Sequence, residues 1–180
     1  DKLLELHVRH VPGGFFTDQL FTQYKGREIL RFEGPLGSFY LREESDRPII
    51  FVAGGTGFAP IKAIIEHALY SKIDRPMVLY WGARALPDLY LPALPGQWQS
   101  EHPQFTFIPV LSDPTVADAW PGRTGFVHEA VIADFPDRFM IGNDPFYAPP
   151  HMAGLRPPLS AMSRRFVNAL PQPLAAAVAH

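Results

Sequence analysis

The chain has 180 residues, 47% of them apolar and 19% charged, and a formal charge of −2. That balance supports a buried core and excludes a disordered tail, a coiled coil and a disulfide-stapled miniprotein. No cysteine occurs, which removes disulfides, thiolate metal ligands and a cysteine nucleophile, and no basic block stands out that would favour a nucleic-acid partner.

In chain order, Leu3 to Val11 alternates apolar and polar residues (Leu4, Leu6 and Val8 against Glu5, His7 and Arg9), the period of a half-buried strand. Pro12-Gly13-Gly14 breaks it, and Phe16 to Gln23 predicts a short helix with Thr17 or Asp18 near its start. Glu28 to Phe32 and Ser38 to Leu41, joined by a Gly34–Gly37 turn, predict further strands, so the opening is expected to be β-rich. Arg42 to Arg47 is a charged stretch expected at a domain boundary.

The pattern then changes. Pro48 to Ala53 is a continuous apolar run, the mark of a strand buried on both faces of a parallel sheet. Gly54-Gly55-Thr56-Gly57 follows, and Ala59 to Tyr70 has helical spacing, with Pro60 in a first turn that accepts proline. Met77 to Tyr80 predicts a second strand ending at Trp81-Gly82. Thr106 to Val110 and the Phe126 to Val131 region predict a further strand and helix. Strand–helix alternation with short turns predicts a doubly wound parallel α/β sheet.

From Phe139 to His180 the composition shifts to seven prolines, eight alanines, and no lysine or glutamate. The body to Arg138 carries 13 basic and 17 acidic residues, and the tail three arginines and Asp144. The only helix-like piece there is Pro158 to Leu170. This tail is expected to be foreign to the domain before it, as a reading-frame shift would make it. Asp at position 1 and 20 prolines, about twice the usual share, agree with an incomplete or altered sequence.

The glycine turn between a buried strand and a helix carries the strongest chemical signal. Glycines let the backbone approach a ligand, and the helix N-terminus offers unpaired N–H groups to a pyrophosphate. It is neither a P-loop nor the usual G-x-G-x-x-G, so a tight turn without ligand stands beside the nucleotide reading. Around it, in order, come Pro12-Gly13-Gly14-Phe15-Phe16-Thr17, Arg31-Phe32-Glu33-Gly34-Pro35-Leu36-Gly37, Gly54-Gly55-Thr56-Gly57-Phe58-Ala59-Pro60, Tyr80-Trp81-Gly82-Ala83-Arg84 and Asp88-Leu89-Tyr90.

This series resembles the ferredoxin–NADP reductase superfamily, most closely its CDP-6-deoxy-glucoseen reductase and oxygenase-reductase branch, over roughly residues 3 to 138. The resemblance implies a partial flavin-binding antiparallel β-barrel (1–45), an NAD(P)-binding α/β domain (46–138) and the anomalous tail (139–180). It places the FAD pyrophosphate on Gly13, Gly14, Phe16 and Thr17. The nicotinamide dinucleotide falls on Gly54, Gly55, Thr56, Gly57 and Pro60, with its adenosine ribose near Gly82, Arg84 and Asp88. The implied activity is hydride transfer from NAD(P)H, with NADH preferred, to FAD, and then electron transfer to an iron–sulfur centre or partner protein on another chain or segment. The family's Arg-x-Tyr-Ser/Thr strand and Cys-Gly-x-Pro turn are absent, and the chain carries no cysteines for an iron–sulfur cluster. A free-flavin reductase and a non-catalytic remnant are the alternatives.

Other features carry less. Seven scattered histidines lack metal-ligand spacing, so no metal is expected. No Gly-x-Ser-x-Gly elbow exists, and Asp113 with Asp118 makes a poor hydrolase pair. Trp81, Trp98, Trp120, Phe15, Phe16, Phe21 and Phe39 are expected to anchor packing. No run reaches the roughly 20 apolar residues of a membrane span, and with no leader in view a cytoplasmic location is expected.

Overall fold

Ile49 to Ala53 has no polar residue to present to water, which predicts a strand of a parallel sheet with both faces covered. In a computed structural model, which describes residues 4–34 and 36–136, it becomes β1 (Ile49–Gly54). A 3-10 turn over Gly55–Gly57 leads into α2 (Phe58–Tyr70), and β2 (Met77–Ala83) follows. Next come α3 (Ala93–Glu101), β3 (Phe105–Leu111), the short β4 (Arg123–Thr124) and α4 (Val127–Asp134). All four strands are parallel, in the order β1-β2-β3-β4. The register sets Ile49 beside Met77 and Gly54 beside Gly82.

Alternation along β2 assigns its faces. Met77, Leu79 and Trp81 point into a core with Phe51, Ala53, Phe58, Ile61 and Ile65, under α2 and α3. Phe58 and Trp81 are fully buried and stack with ring centroids 4.0 Å apart. Tyr80 and Gly82 point the other way, toward α4, which packs across β1, β2 and β3. Helices therefore lie on both faces of the parallel sheet, as the sequence predicts, but β1 is buried on one face only. Phe51 and Ala53 are covered, whereas Val52 on the opposite face is 42% exposed, because no described strand or helix closes over that edge.

On the α4 face the Tyr80 hydroxyl donates to Asp134 Oδ2 at 2.5 Å, and Arg123 pairs with the same carboxylate at 2.8 Å. Burial, then the Asp134 carboxylate, pushes the Tyr80 phenol up to about 12. The bonds from Tyr80 and Arg123 hold Asp134 below the ordinary carboxylate range. These three residues tie α4 to the sheet at one end, while Val127 packs on Gly82 at the other.

The sequence pattern misses α3. No element is predicted there, because a Pro-Gly pair has poor helix propensity, yet Pro95 lies within the first helical turn, where its absent N–H would bond nothing. Burial of Pro95 and Trp98 against β3 stabilises a helix that propensity disfavours.

The opening segment departs from its expectation. Its one helix, α1 (Phe15–Thr22), forms within a residue of the predicted span. The strands predicted at Glu28–Phe32 and Ser38–Leu41, and over the described part of Leu3–Val11, do not form among the described residues of 4–46. Alternation creates a strand only where a neighbour completes the ladder of N–H and C=O bonds, and no described strand lies beside these segments. Their apolar side chains are accordingly exposed, among them Leu4, Leu6, Ile29 and Phe32. Phe15, Phe16, Phe21 and Phe39 are exposed as well and anchor no core.

The charged stretch at 42–47 is tethered: Arg75 donates to the Arg47 carbonyl at 2.6 Å and the Arg42 carbonyl at 2.8 Å. The tail features, including the 158–170 helix and the segment at Met140–Pro145, lie outside the described residues. Among the described residues no helix is long and apolar enough to cross a membrane.

Candidate functional site

Parallel strands end together, and the loops after them enclose a crevice where ligands of α/β folds bind. Two adjoining cavities occupy that position. The first, about 430 Å³, is bounded by residues 5–9, by Gly55 and Thr56, and by Pro87, Asp88, Tyr90 and Leu91. The second, about 260 Å³, runs over Gly82, Ala83 and Arg84 to Ser112 and the start of α4. They share Arg9, Gly55 and Asp88, so they form one cleft of a size that suits an elongated ligand.

The floor of the cleft is the glycine turn. Gly55 adopts φ +50°, a left-handed conformation that disfavours a side chain. The Trp81 indole N–H donates to the Gly55 carbonyl at 3.0 Å, so the buried end of β2 fixes the turn. Gly82 is required by close approach: a Cβ there would lie 2.7 Å from Val127 Cβ. Arg84 extends from the end of β2, its Nε and Nη2 both donating to Asp113 Oδ2, at 3.1 and 3.0 Å. Asp88 lies on the rim, its carboxylate accepting from the Ala85 N–H at 3.1 Å.

The wall of the first cavity is a polar chain. His7 Nδ1 lies 2.5 Å from the Tyr90 hydroxyl and His7 Nε2 lies 2.6 Å from Glu5. Glu5 also accepts from Lys62 Nζ at 3.3 Å, and Lys62 pairs with Glu66 at 3.0 Å. The His7 side chain is only 7% exposed. Its hydrogen bond, then that of Lys62, holds Glu5 below the ordinary carboxylate range. Burial, then the Glu5 charge, pushes the Tyr90 phenol up. Burial pulls Lys62 down, but the Glu66 and Glu5 carboxylates outweigh it and leave the ammonium above its usual value.

Of the residues singled out in the sequence, Gly55, Thr56, Gly82, Arg84 and Asp88 converge on the cleft. Gly54 ends β1, while Gly57 and Pro60 shape the entry to α2 without lining either cavity. Gly13, Gly14, Phe16 and Thr17 sit apart from both, at the start of α1. There the Thr17 hydroxyl donates to the Val11 carbonyl at 2.9 Å and accepts from the Val11 N–H at 3.1 Å. Asp18 Oδ2 accepts the Gly13 N–H at 2.9 Å, and His10 holds the other Asp18 oxygen at 2.7 Å. The helix amides at Phe16 and Thr17 have no side-chain cap and suit an anion.

From the sequence, Asp113 is weighed only as a poor hydrolase carboxylate, and Arg9 and the His7–Tyr90 pair are given no role in the site. Asp113 follows closely on β3, a position at the carboxyl edge of the sheet that marks it out. Residues 83 apart, such as His7 and Tyr90, leave no local signal.

Comparison with known proteins agrees with this geometry. The family described as "Oxidoreductase NAD-binding domain" matches residues 51–153. The chain is 48% identical over 132 residues to Protein RfbI of Salmonella typhimurium, covering 73% of this chain and 39% of that protein. It is 42% identical over 134 residues to the CDP-6-deoxy-L-threo-D-glycero-4-hexulose-3-dehydrase reductase of Yersinia pestis, covering 74% and 40%. The crystal structure of the Amycolatopsis cytochrome P450 reductase GcoB superposes with a TM-score of 0.60 at 39% identity, over 76% of this chain and 41% of that one. The chain thus spans about two fifths of the length of these relatives. With its parallel sheet and glycine turn, the chain belongs to the oxidoreductase NAD-binding domain family, within the ferredoxin–NADP reductase superfamily.

Proposed function

We propose that this chain binds NADH in the cleft above β1–β3 and serves a flavin-dependent reductase, with electrons passing from FAD to an iron–sulfur centre or partner protein on another chain or segment. The observation that carries this reading is the continuous cleft over Gly55, Thr56, Gly82 and Arg84, its floor held by Trp81. NADH would supply a hydride and FAD would accept it; the residues here bind, orient and exclude water. The pyrophosphate of the dinucleotide is assigned to the Gly54–Gly57 turn ahead of Pro60, and its adenosine end to Gly82, Arg84 and Asp88. The FAD pyrophosphate is assigned to Gly13, Gly14, Phe16 and Thr17, where the amides of α1 fit it. Residues 1–45 are read as the end of the flavin domain, 46–138 as the nucleotide domain and 139–180 as a separate tail, in a cytoplasmic protein.

NADH is preferred to NADPH because Arg84 is already paired. A 2′-phosphate brought to Arg84 would face the Asp113 carboxylate, a like-charge contact. Asp113→Asn should strengthen NADPH binding about three- to fivefold, the scale of an exposed ion pair of up to about 1 kcal/mol, and leave NADH nearly unchanged. Equal gains for both dinucleotides, measured by calorimetric titration, would remove this basis for selectivity.

A second reading has its own observation. The Thr17 hydroxyl and Gly13 N–H are engaged within the loop, which weakens the grip on a resident FAD and favours a flavin that exchanges as a substrate. An anaerobic absorption spectrum of the purified chain with FAD, before and after NADH, separates the cases. Retained flavin that bleaches supports the reductase, and bleaching that saturates with added flavin while none is retained supports the free-flavin reading. A spectrum that NADH leaves unchanged overturns both and leaves a non-catalytic remnant.

A further inference from the structure

We propose that Lys62 is a positioning residue for the dinucleotide: it locks residues 5–9 in place as a wall of the first cavity without meeting the ligand itself. The proposal rests on the reading of the cleft as the dinucleotide site.

Residues 5–9 form a strap with little support of its own. They belong to no described helix or strand, and no backbone–backbone hydrogen bond holds them among the described residues. The alternation that predicts a strand there is put to another use, since its polar members make the ties. Glu5 reaches Lys62 of α2, His7 reaches Tyr90, and Arg9 borders both cavities. His7 seats the middle of the strap, its ring edge-on to Tyr90 with centroids 5.3 Å apart and tilted against Phe58 at 6.4 Å. Glu5, half exposed at one end, is held to the helix by the Lys62 ammonium at 3.3 Å.

The Lys62 side chain is only 14% exposed, so the pair is screened less than one at the open surface. Lys62 lines neither cavity, so it acts on a ligand through Glu5. The same ammonium lies 3.0 Å from Glu66, one turn further along α2, and the two carboxylates compete for it. What the strap delivers is Arg9, a cation in no ion pair among the described residues, at the point where the two cavities meet. An open strap withdraws that charge from an anionic ligand. A ligand that needs the closed strap binds in proportion to the closed fraction, so a lost tie appears as a weaker apparent affinity.

The first test needs no ligand. The chain contains no cysteine, so a pair can be introduced and spin-labelled without interference. Labels at Leu4→Cys beside the strap and Tyr70→Cys at the end of α2, both exposed positions, should give one narrow distance distribution by double electron–electron resonance. Lys62→Met should broaden it and Lys62→Arg, which keeps the cation, should not. A broad distribution in the parent pair, or one that Lys62→Met leaves unchanged, overturns the lock.

The second test is calorimetric titration with NADH. Lys62→Met should raise the dissociation constant about three- to fivefold, the scale of an ion pair near the surface, and Lys62→Arg should stay near the wild type. In a Glu5→Gln background Lys62→Met should have little further effect, because the tie is already broken. A loss that persists there is the charge of Lys62 acting directly on the ligand, and overturns the lock. Glu66→Gln should not weaken binding, since it leaves Lys62 to Glu5 alone; a loss equal to that of Lys62→Met would assign the effect to the helix instead. Wild-type binding matched by Lys62→Met removes this proposal alone. A wild-type chain that binds no NADH removes the dinucleotide reading and the proposal with it.

Discussion

Gly82→Ala tests how α4 and the sheet define the cleft. The added Cβ would lie 2.7 Å from Val127 Cβ, 3.0 Å from Cγ1 and 3.4 Å from Cγ2. Carbon atoms pack at about 3.5–4.0 Å, so the closest pair is about 1 Å too near. The Val127 methyls can rotate away, but its Cβ is bonded to the helix backbone, so relief requires the first turn of α4 to lift. Overpacking of this kind costs about 1–3 kcal/mol. Restriction of the unfolded chain by alanine offsets about 0.4–1 kcal/mol of that, leaving a net loss of about 1–2 kcal/mol. Urea titration should show a lower midpoint at constant slope, and NADH should bind more weakly because the start of α4 lines the second cavity.

Two partner substitutions sharpen the test. Val127→Ala removes both γ carbons but leaves the Cβ that makes the 2.7 Å contact, so it should restore little in a double-mutant cycle. Val127→Gly removes that atom and should recover most of the coupling. Equal rescue by alanine and glycine would refute the steric account, as would a Gly82→Ala variant as stable as the wild type.

Trp81→Phe removes the indole N–H that holds the Gly55 carbonyl. It should lower stability by about 1–3 kcal/mol, from the lost bond and the smaller ring, and weaken NADH binding several-fold by calorimetry; unchanged binding would show that the turn needs no such anchor. Tyr80→Phe should cost about 1–2 kcal/mol, a bond to a charged group that is still paired with Arg123. The Tyr80 phenol is raised in the folded chain from 10.0 to about 12, so its contribution is present below pH 10 and lost as pH rises toward 12. Asp134 is held below its ordinary 3.8, so its contribution is present above that value and lost as pH falls through the folded one. Thermal melts across both windows should show the two losses, each diminished in Tyr80→Phe.

The sequence alone determined the nucleotide domain. The unbroken run Ile49–Ala53 marks a strand of the sheet and the glycines after it a turn into the helix that begins at Phe58, because each signal lies within a few adjacent residues. The expected cover on both faces is met only at Phe51 and Ala53, while Val52 is exposed. Periodicity located α2 and α4 for the same reason. It failed at Leu3–Val11 and Glu28–Phe32, where the alternation is real but a ladder needs a neighbouring strand, which local pattern cannot supply. It also missed α3, where burial of Trp98 overrides a Pro-Gly pair.

The candidate site divided in the same way. Gly55, Thr56, Gly82 and Arg84 were legible because they lie at the ends of strands that the pattern marks. The pairing of Arg84 with Asp113, the tie from Trp81 to Gly55 and the wall from Glu5 through His7 to Tyr90 join residues 26 to 83 positions apart along the chain. The parallel crossovers, which return successive loops to one edge of the sheet, bring Arg84 to Asp113 and Trp81 to Gly55, and the opening segment lying at that edge brings His7 to Tyr90.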